Sequence, residues 1–280
     1  MRAGIGFAIA CMFPFTATAQ GFLSGLELKA AKAPGSKAWE LPAELSYLNS
    51  SGGESSYATN AAVSGILPNI PGTTIQSRLT AWVAKNTLLE KEQDKRGIEA
   101  AIGMAGGNEH FGYFPQISVS IDRDRVKQTH ERTYEATIDF ISKDLRLGGC
   151  GVARVHGCTY WDLLAGLYSN DVRSADNNLG LGRVNGGRLV LQVTSNPFAA
   201  QHPLAPLSFT ALAQRQWDRS ASAMREKDTR RNYVGAVAWR FYDENSKVKP
   251  SIALKRVLGA DLLTGQEEQG YTQLAFRLEL

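Results

Sequence analysis

Several features that mark other protein classes are scarce in this sequence. Its 280 residues include three cysteines and four histidines, and 31 basic against 27 acidic residues leave a formal net charge of +4. So weak a bias does not indicate a nucleic-acid partner. The cysteines and histidines lack zinc-finger spacing, so we expect neither a metal nor a cofactor. Beyond the amino-terminal segment, no apolar run reaches the roughly 20 residues of a transmembrane helix.

The amino-terminal segment has the features of a secretory signal. Residues 1–19 contain Arg2, an apolar run and the small-x-small triplet Ala-Thr-Ala. This pattern predicts a cleavable signal peptide over 1–19, followed by one domain over 20–280. A lipoprotein signal would use Cys11, but the preceding residues match that pattern poorly.

Two cysteines lie beyond the predicted signal. Cys150 and Cys158 are eight positions apart in a glycine-rich stretch, which can bend enough to bring their Cα atoms within bridging distance. In an exported chain, an even pair predicts a disulfide. The alternative is a metal site that includes His156, but it lacks two further ligands.

The carboxyl-terminal stretch YTQLAFRLEL alternates in character up to its last residue. Leu274, Phe276, Leu278 and Leu280 share one face, with polar or small residues between them, as expected for a β-strand. A strand that ends without a turn or tail still needs partners along both edges. One solution is a barrel in which this strand closes onto the first one.

The same alternation recurs from about residue 25 in segments of about ten residues. The clearest segments are 115–125 and 132–143, and Leu26–Ala30 with Trp39–Tyr47 is predicted to form a hairpin. The glycine- and asparagine-rich region 148–187 gives no clear register. Thirteen segments are candidate strands, whereas single-chain bacterial barrels usually have an even number. We therefore predict an all-β, transmembrane, antiparallel up-and-down β-barrel of about 12 or 14 strands.

The two strand faces differ in charge. One face is nearly free of charge, as hydrocarbon requires when a midplane Lys or Arg costs about 2–4 kcal/mol, and Tyr and Trp fall near strand ends, as in interfacial girdles. A soluble exported β-sandwich with solvent-exposed polar faces is the alternative. The opposite face carries charges of both signs, and we predict that it lines a lumen through Arg78, Glu99, Glu135, Asp139, Arg240, Lys255 and Arg277.

The carboxyl-terminal third resembles a known group of barrels. The run REKDTRRNYVGAVAWRFYDENSKVKPSIALKR, closing with GYTQLAFRLEL, is similar to the final strands of the surface lipoprotein assembly modulators and related porin-like outer-membrane proteins, and LLAGLYSNDVRSADNN fits the same layout loosely. The resemblance implies an outer-membrane barrel that helps to export or display a partner protein. In that family a helical repeat domain precedes the barrel, whereas nothing helical of that size precedes this one.

Our preferred hypothesis is a narrow channel or passive transporter for small polar solutes in the bacterial outer membrane. Mixed charges inside a barrel form either a water-filled channel with a transverse field or a salt-bridged interior. The expected partners are outer-membrane lipid and the barrel-assembly machinery, and the oligomeric state is left open. We expect no enzymatic activity. A lipid hydrolase using His110 or another histidine is the alternative, but none of the histidines has the His-x-Ser arrangement of the phospholipase barrels.

Overall fold

A computed structural model describes most of the chain. The described residues are 26–29, 43–50, 55–67, 73–87, 92–108, 110–142, 157–174, 181–222, 225–241, 248–259 and 270–279. The predicted signal peptide and Cys150 lie outside these ranges.

The described chain folds into β-strands, as the period-two pattern predicts. Their bounds are β1 Leu26–Lys29, β2 Ala43–Ser50, β3 Ser55–Leu67, β4 Ile75–Asn86, β5 Gln93–Met104, β6 Gly106–Gly107, β7 Phe111–Asp124, β8 Thr129–Ser142, β9 Cys158–Ser174, β10 Gly182–Asn196, β11 Leu207–Ala221, β12 Thr229–Arg240, β13 Lys249–Gly259 and β14 Tyr271–Glu279. The asparagine-rich region whose register was unclear contributes β9 and the start of β10.

No helix in the described ranges is long and apolar enough to span a membrane.

The strands form a closed ring. Each strand from β7 to β14 pairs antiparallel with its neighbours in sequence, and β3 pairs with β4. The ring is completed where β14 pairs with β2, with Tyr271 opposite Ser50 and Leu278 opposite Ala43. The predicted all-β up-and-down barrel is therefore confirmed. The carboxyl-terminal strand closes onto β2, not onto β1, the first strand in sequence.

The predicted hairpin between the first two segments is wrong. β1 and β2 both pair with β3, with Lys29 opposite Ala62 and Glu44 opposite Asn60. They therefore lie in line along one edge of β3, which is long enough to take both. In the same way, β5 and β6 lie in line along β7. The 14 described segments thus fill twelve positions in the ring.

The alternating pattern gives the barrel an apolar outer face and a polar inner face. Outward-facing Leu167 and Ile117 are 67% and 65% exposed, whereas inward-facing Arg188 is 1% exposed. Contacts between strands two positions apart, such as the one between Arg188 of β10 and Glu135 of β8, identify the inner face. Strands that far apart are separated by about 9–10 Å along a flat sheet, so side chains meet across them most readily on the concave side.

Aromatic side chains mark both ends of the outer face. We call the end where β14 begins the far end and the end where it finishes the terminal end. Tyr47, Tyr57, Tyr134, Trp217 and Tyr233 point outward toward the far end, and Phe111, Tyr113, Trp161, Phe209 and Trp239 point outward toward the terminal end. Between these two sets the outward positions are apolar or small, as in the hydrocarbon-facing band of a membrane barrel.

Candidate functional site: the barrel interior

Carboxylates dominate one side of the interior. The inward positions of β5, β7 and β8 form what we call the acidic wall, which consists of Glu99, Asp122, Asp124, Glu131, Glu135 and Asp139. Lys95 is the only basic residue among the described inward positions of these three strands. Most of these carboxylates are buried, so screening by water is weak and their charges act strongly on one another.

Basic residues dominate the opposite side. The inward positions of β12, β13 and β14 carry Arg230, Arg240, Lys249, Lys255 and Arg277, which we call the basic wall. In a ring of twelve positions, strands six positions apart face each other, so β5 faces β12, β7 faces β13 and β8 faces β14. The interior charges are therefore separated across the barrel axis.

All seven residues predicted to line a lumen lie on the inner face. Three of them belong to the acidic wall, three to the basic wall, and Arg78 lies on β4 next to the acidic wall. Their contacts differ: the Arg240 guanidinium donates to the backbone oxygens of Ala205 and Pro206 at the terminal end, whereas Glu135 lies within the barrel. That these residues line an open channel stays a prediction.

A buried ion pair crosses β9. Arg188 of β10 donates from Nη1 and Nη2 to Oε1 and Oε2 of Glu135, at 3.0 and 3.3 Å. The side chains are 0% and 3% exposed. A Cβ added to Gly166 of β9 would lie 3.2 Å from Arg188 Nε and 3.0 Å from Thr137 Cγ2. The absence of a side chain at Gly166 therefore lets the Arg188 guanidinium lie close over the backbone of β9.

A second ion cluster lies next to the seam where β14 meets β2. Glu44 pairs with Lys255, and it accepts a hydrogen bond from Arg277 Nε at 3.1 Å and from Gln273 Nε2 at 2.6 Å. Lys255 is on β13, so this contact also spans a strand. Two basic residues thus share one carboxylate, and the cluster carries a net positive charge.

A third cluster gathers near the far end. Lys95 Nζ lies 3.1 Å from Glu131 Oε1, although β7 runs between their strands. Asn170 of β9 donates to Glu131 and Thr133, and Arg225 donates to Asn170. Polar side chains from four segments therefore tie this part of the wall together.

The charged run DRDR at 122–125 divides between the two faces of the sheet. Asp122 and Asp124 point inward while Arg123 points outward. Asp122 lies opposite Glu131, and Arg123 lies opposite His130. Asp124 instead accepts hydrogen bonds from the backbone nitrogens of Val126 and Lys127 in the following turn. Alternate residues of a strand point to opposite faces, so the like-charged residues in this run share a face.

Sequence reasoning missed the partner of Glu135. Arg188 alternates with outward-facing Leu189 and Leu191 on β10, so its parity places it inside. Lys95 and Glu131 lie in the charged runs EKEQDK and KQTHER, whose composition is typical of turns, although both residues belong to strands. The same parity, extended from Glu99 and Glu135, would have placed both inside.

The histidines and the cysteine of the described ranges are dispersed. His110 and His202 lie toward the terminal end, where His202 Nδ1 accepts the Leu204 backbone N–H and its ring stacks on Phe198, while His130 is on β8 at the far end. Cys158 is buried and disulfide-bonded; its pairing with Cys150 stays a prediction because Cys150 lies outside the described residues. Within the described ranges, no three His, Cys, Asp or Glu side chains form a group that could hold a metal ion.

Comparison with known proteins gives structural similarities alone. No protein-family model and no curated protein matches the sequence. The chain resembles bacterial outer-membrane barrels. A NanC porin matches at 9% identity and TM-score 0.45, over 85% of this chain and 100% of that one. An outer-membrane channel from Pseudomonas putida F1 matches at 8% identity and TM-score 0.46, over 90% of this chain and 94% of that one. A KdgM porin in complex with disordered oligogalacturonate matches at 8% identity and TM-score 0.41, covering 85% and 98%. At these values the similarities assign neither a solute nor a family to this chain.

Proposed function

We propose that this protein is a bacterial outer-membrane barrel acting as a narrow channel for small polar solutes. The observation that carries the proposal is the charge separation between the acidic and basic walls inside an outer face that is apolar between two sets of aromatics. An apolar outer face matches hydrocarbon. A separated set of interior charges orients a dipolar solute and the water around it.

The buried ion pair across β9 supports a narrow channel. At the level of the Arg188–Glu135 pair the two side chains reach across β9 and are almost completely buried. Passage therefore requires a solute that is small, or that exchanges hydrogen bonds with these groups. Since the interior holds both signs in similar numbers, we expect weak ion selectivity.

Single-channel recording in planar bilayers tests this function. The purified protein should give discrete conductance steps and a reversal potential near zero in a salt gradient. Glu99→Gln removes a charge from the acidic wall and should shift selectivity toward anions. Arg240→Gln, the matched change on the basic wall, should shift it toward cations, because fixed charges repel ions of their own sign.

Heat-modifiable migration in detergent gels is the control for folding, since a closed barrel migrates differently before and after heating. A preparation that shows this behaviour but no conductance step at any voltage would rule out the channel. Equal shifts in selectivity by both variants, in the same direction, would contradict the role of the two walls. Lipid hydrolysis and assistance to a partner protein, including the resemblance to the lipoprotein assembly modulators, stay predictions.

A further inference from the structure

The outward-facing charges are concentrated at one end of the barrel. Among the described strands, the basic residues at regular outward positions all lie toward the far end. We call them the arginine belt: Lys85, Arg96, Arg123, Arg132, Arg173, Arg183, Arg215, Arg231 and Arg256. Asp94 and Asp171 are the acidic residues at the described outward strand positions. The terminal end of the same face is apolar, so the belt gives one end of the outer surface a strong positive charge.

Like charges meet within the belt. Arg96 lies directly opposite Arg123 on neighbouring strands, and Arg215 lies directly opposite Arg231. Like charges in such positions destabilise a sheet. Arg96 is relieved by Asp94, whose Oδ1 lies 3.2 Å from its Nε. Among the described outward positions of β10 to β14, no acidic residue lies beside Arg215 or Arg231. Positive charge is therefore concentrated in this sector of the belt.

An apolar groove runs from this sector toward the terminal end. It has a volume of about 580 Å³ and is lined on the outer face by Val193, Phe209, Ala211, Gly235, Val237 and Leu254, with Arg256 and Thr272 also on its lining. Arg256 Nη1 donates to Thr272 Oγ1 at 3.0 Å, which holds the guanidinium beside the groove. A Cβ on Gly235 would meet nothing within 4 Å, so the missing side chain leaves part of this space open.

We propose that this sector binds an anionic membrane lipid, with its phosphate on Arg215, Arg231 and Arg256 and an acyl chain in the groove. Guanidinium groups match phosphate oxygens through paired N–H donors, and the groove takes the part of the lipid that water excludes. The inference rests on the proposed insertion in a membrane, because the groove lies on the hydrocarbon-facing side.

Native mass spectrometry of the protein released from phosphatidylcholine nanodiscs containing a minor fraction of phosphatidylglycerol tests the proposal. The wild-type protein should retain phosphatidylglycerol above its share of the nanodisc. Each basic residue near an anionic surface raises the binding constant about fivefold. The double variant R215Q with R231Q removes two such residues and should therefore reduce the retention of phosphatidylglycerol about 25-fold. R215K with R231K keeps the charges but not the paired donors, and should fall between the two.

The matched control, R230Q with K249Q, removes the same charge from the inner face and should leave lipid retention unchanged. Gly235→Leu fills the groove and should lower retention with the belt intact. Equal retention of the two lipids by the wild type, or an equal loss in the control, would overturn the proposal. So would complete displacement by millimolar inorganic phosphate, since that would exclude a contribution from the groove. If heat-modifiable protein cannot insert into nanodiscs of phosphatidylcholine alone, the membrane assignment itself fails. Normal insertion without a preference for phosphatidylglycerol refutes only the lipid site.

Discussion

The buried ion pair between Arg188 and Glu135 should contribute strongly to the stability of the barrel. Glu135→Gln leaves the Arg188 guanidinium without a countercharge. Arg188→Met leaves the Glu135 carboxylate without a countercharge. Both side chains are almost fully shielded from solvent, at 0% and 3% exposure, and the pair is bidentate. Each single change therefore tests how costly an uncompensated charge is at this depth.

The burial decides the expected magnitude. Breaking a buried pair by removing one partner costs about 3–5 kcal/mol, because the remaining charge is left desolvated. An exposed pair would contribute only about 0.2–1 kcal/mol. The double variant R188M with E135Q contains neither charge, and it should be much closer in stability to the wild type than either single variant. We therefore expect a coupling energy above about 2 kcal/mol from the double-mutant cycle.

Urea unfolding in phosphatidylcholine vesicles measures this coupling energy. Tryptophan fluorescence reports the transition, since the chain has five tryptophans, and heat-modifiable migration gives the folded fraction independently. A coupling energy below about 1 kcal/mol would place the pair in the solvent-exposed range. That result would mean that water reaches both charges and that the interior is open at this level.

Two further predictions concern the outer and inner faces. Ile117 lies outward in the middle of β7 and is 65% exposed, so Ile117→Arg should destabilise the barrel in vesicles by about 2–4 kcal/mol. Ile121→Arg, nearer the arginine belt, should cost only about 0–1 kcal/mol. Equal costs of the two variants in urea unfolding would contradict the membrane position. Inside the barrel, a Cβ on Gly97 would lie 2.6 Å from the Trp82 ring. Gly97→Ala should therefore cost about 1–3 kcal/mol of stability and shift the tryptophan emission. On the outer face, a Cβ on Gly235 would meet nothing within 4 Å, so Gly235→Ala should leave stability and emission unchanged.

The sequence by itself determined which side chains share a face of the barrel. Period-two alternation is a local property of an extended backbone, so it separates Glu99, Glu135 and Lys255 from the apolar face that includes Leu274. It also indicated that the last strand needs a partner on its free edge. These inferences need no knowledge of which strands are neighbours.

The tertiary structure alone decided which of those side chains meet. The Arg188–Glu135 contact joins residues 53 positions apart in sequence, and it exists because curvature brings alternate strands together over a glycine. The opposition of the acidic and basic walls depends on a ring of twelve positions, and the in-line arrangement of β1 and β2 depends on the length of β3. Ring size and curvature come from the pairing of all strands together, so no single segment encodes them.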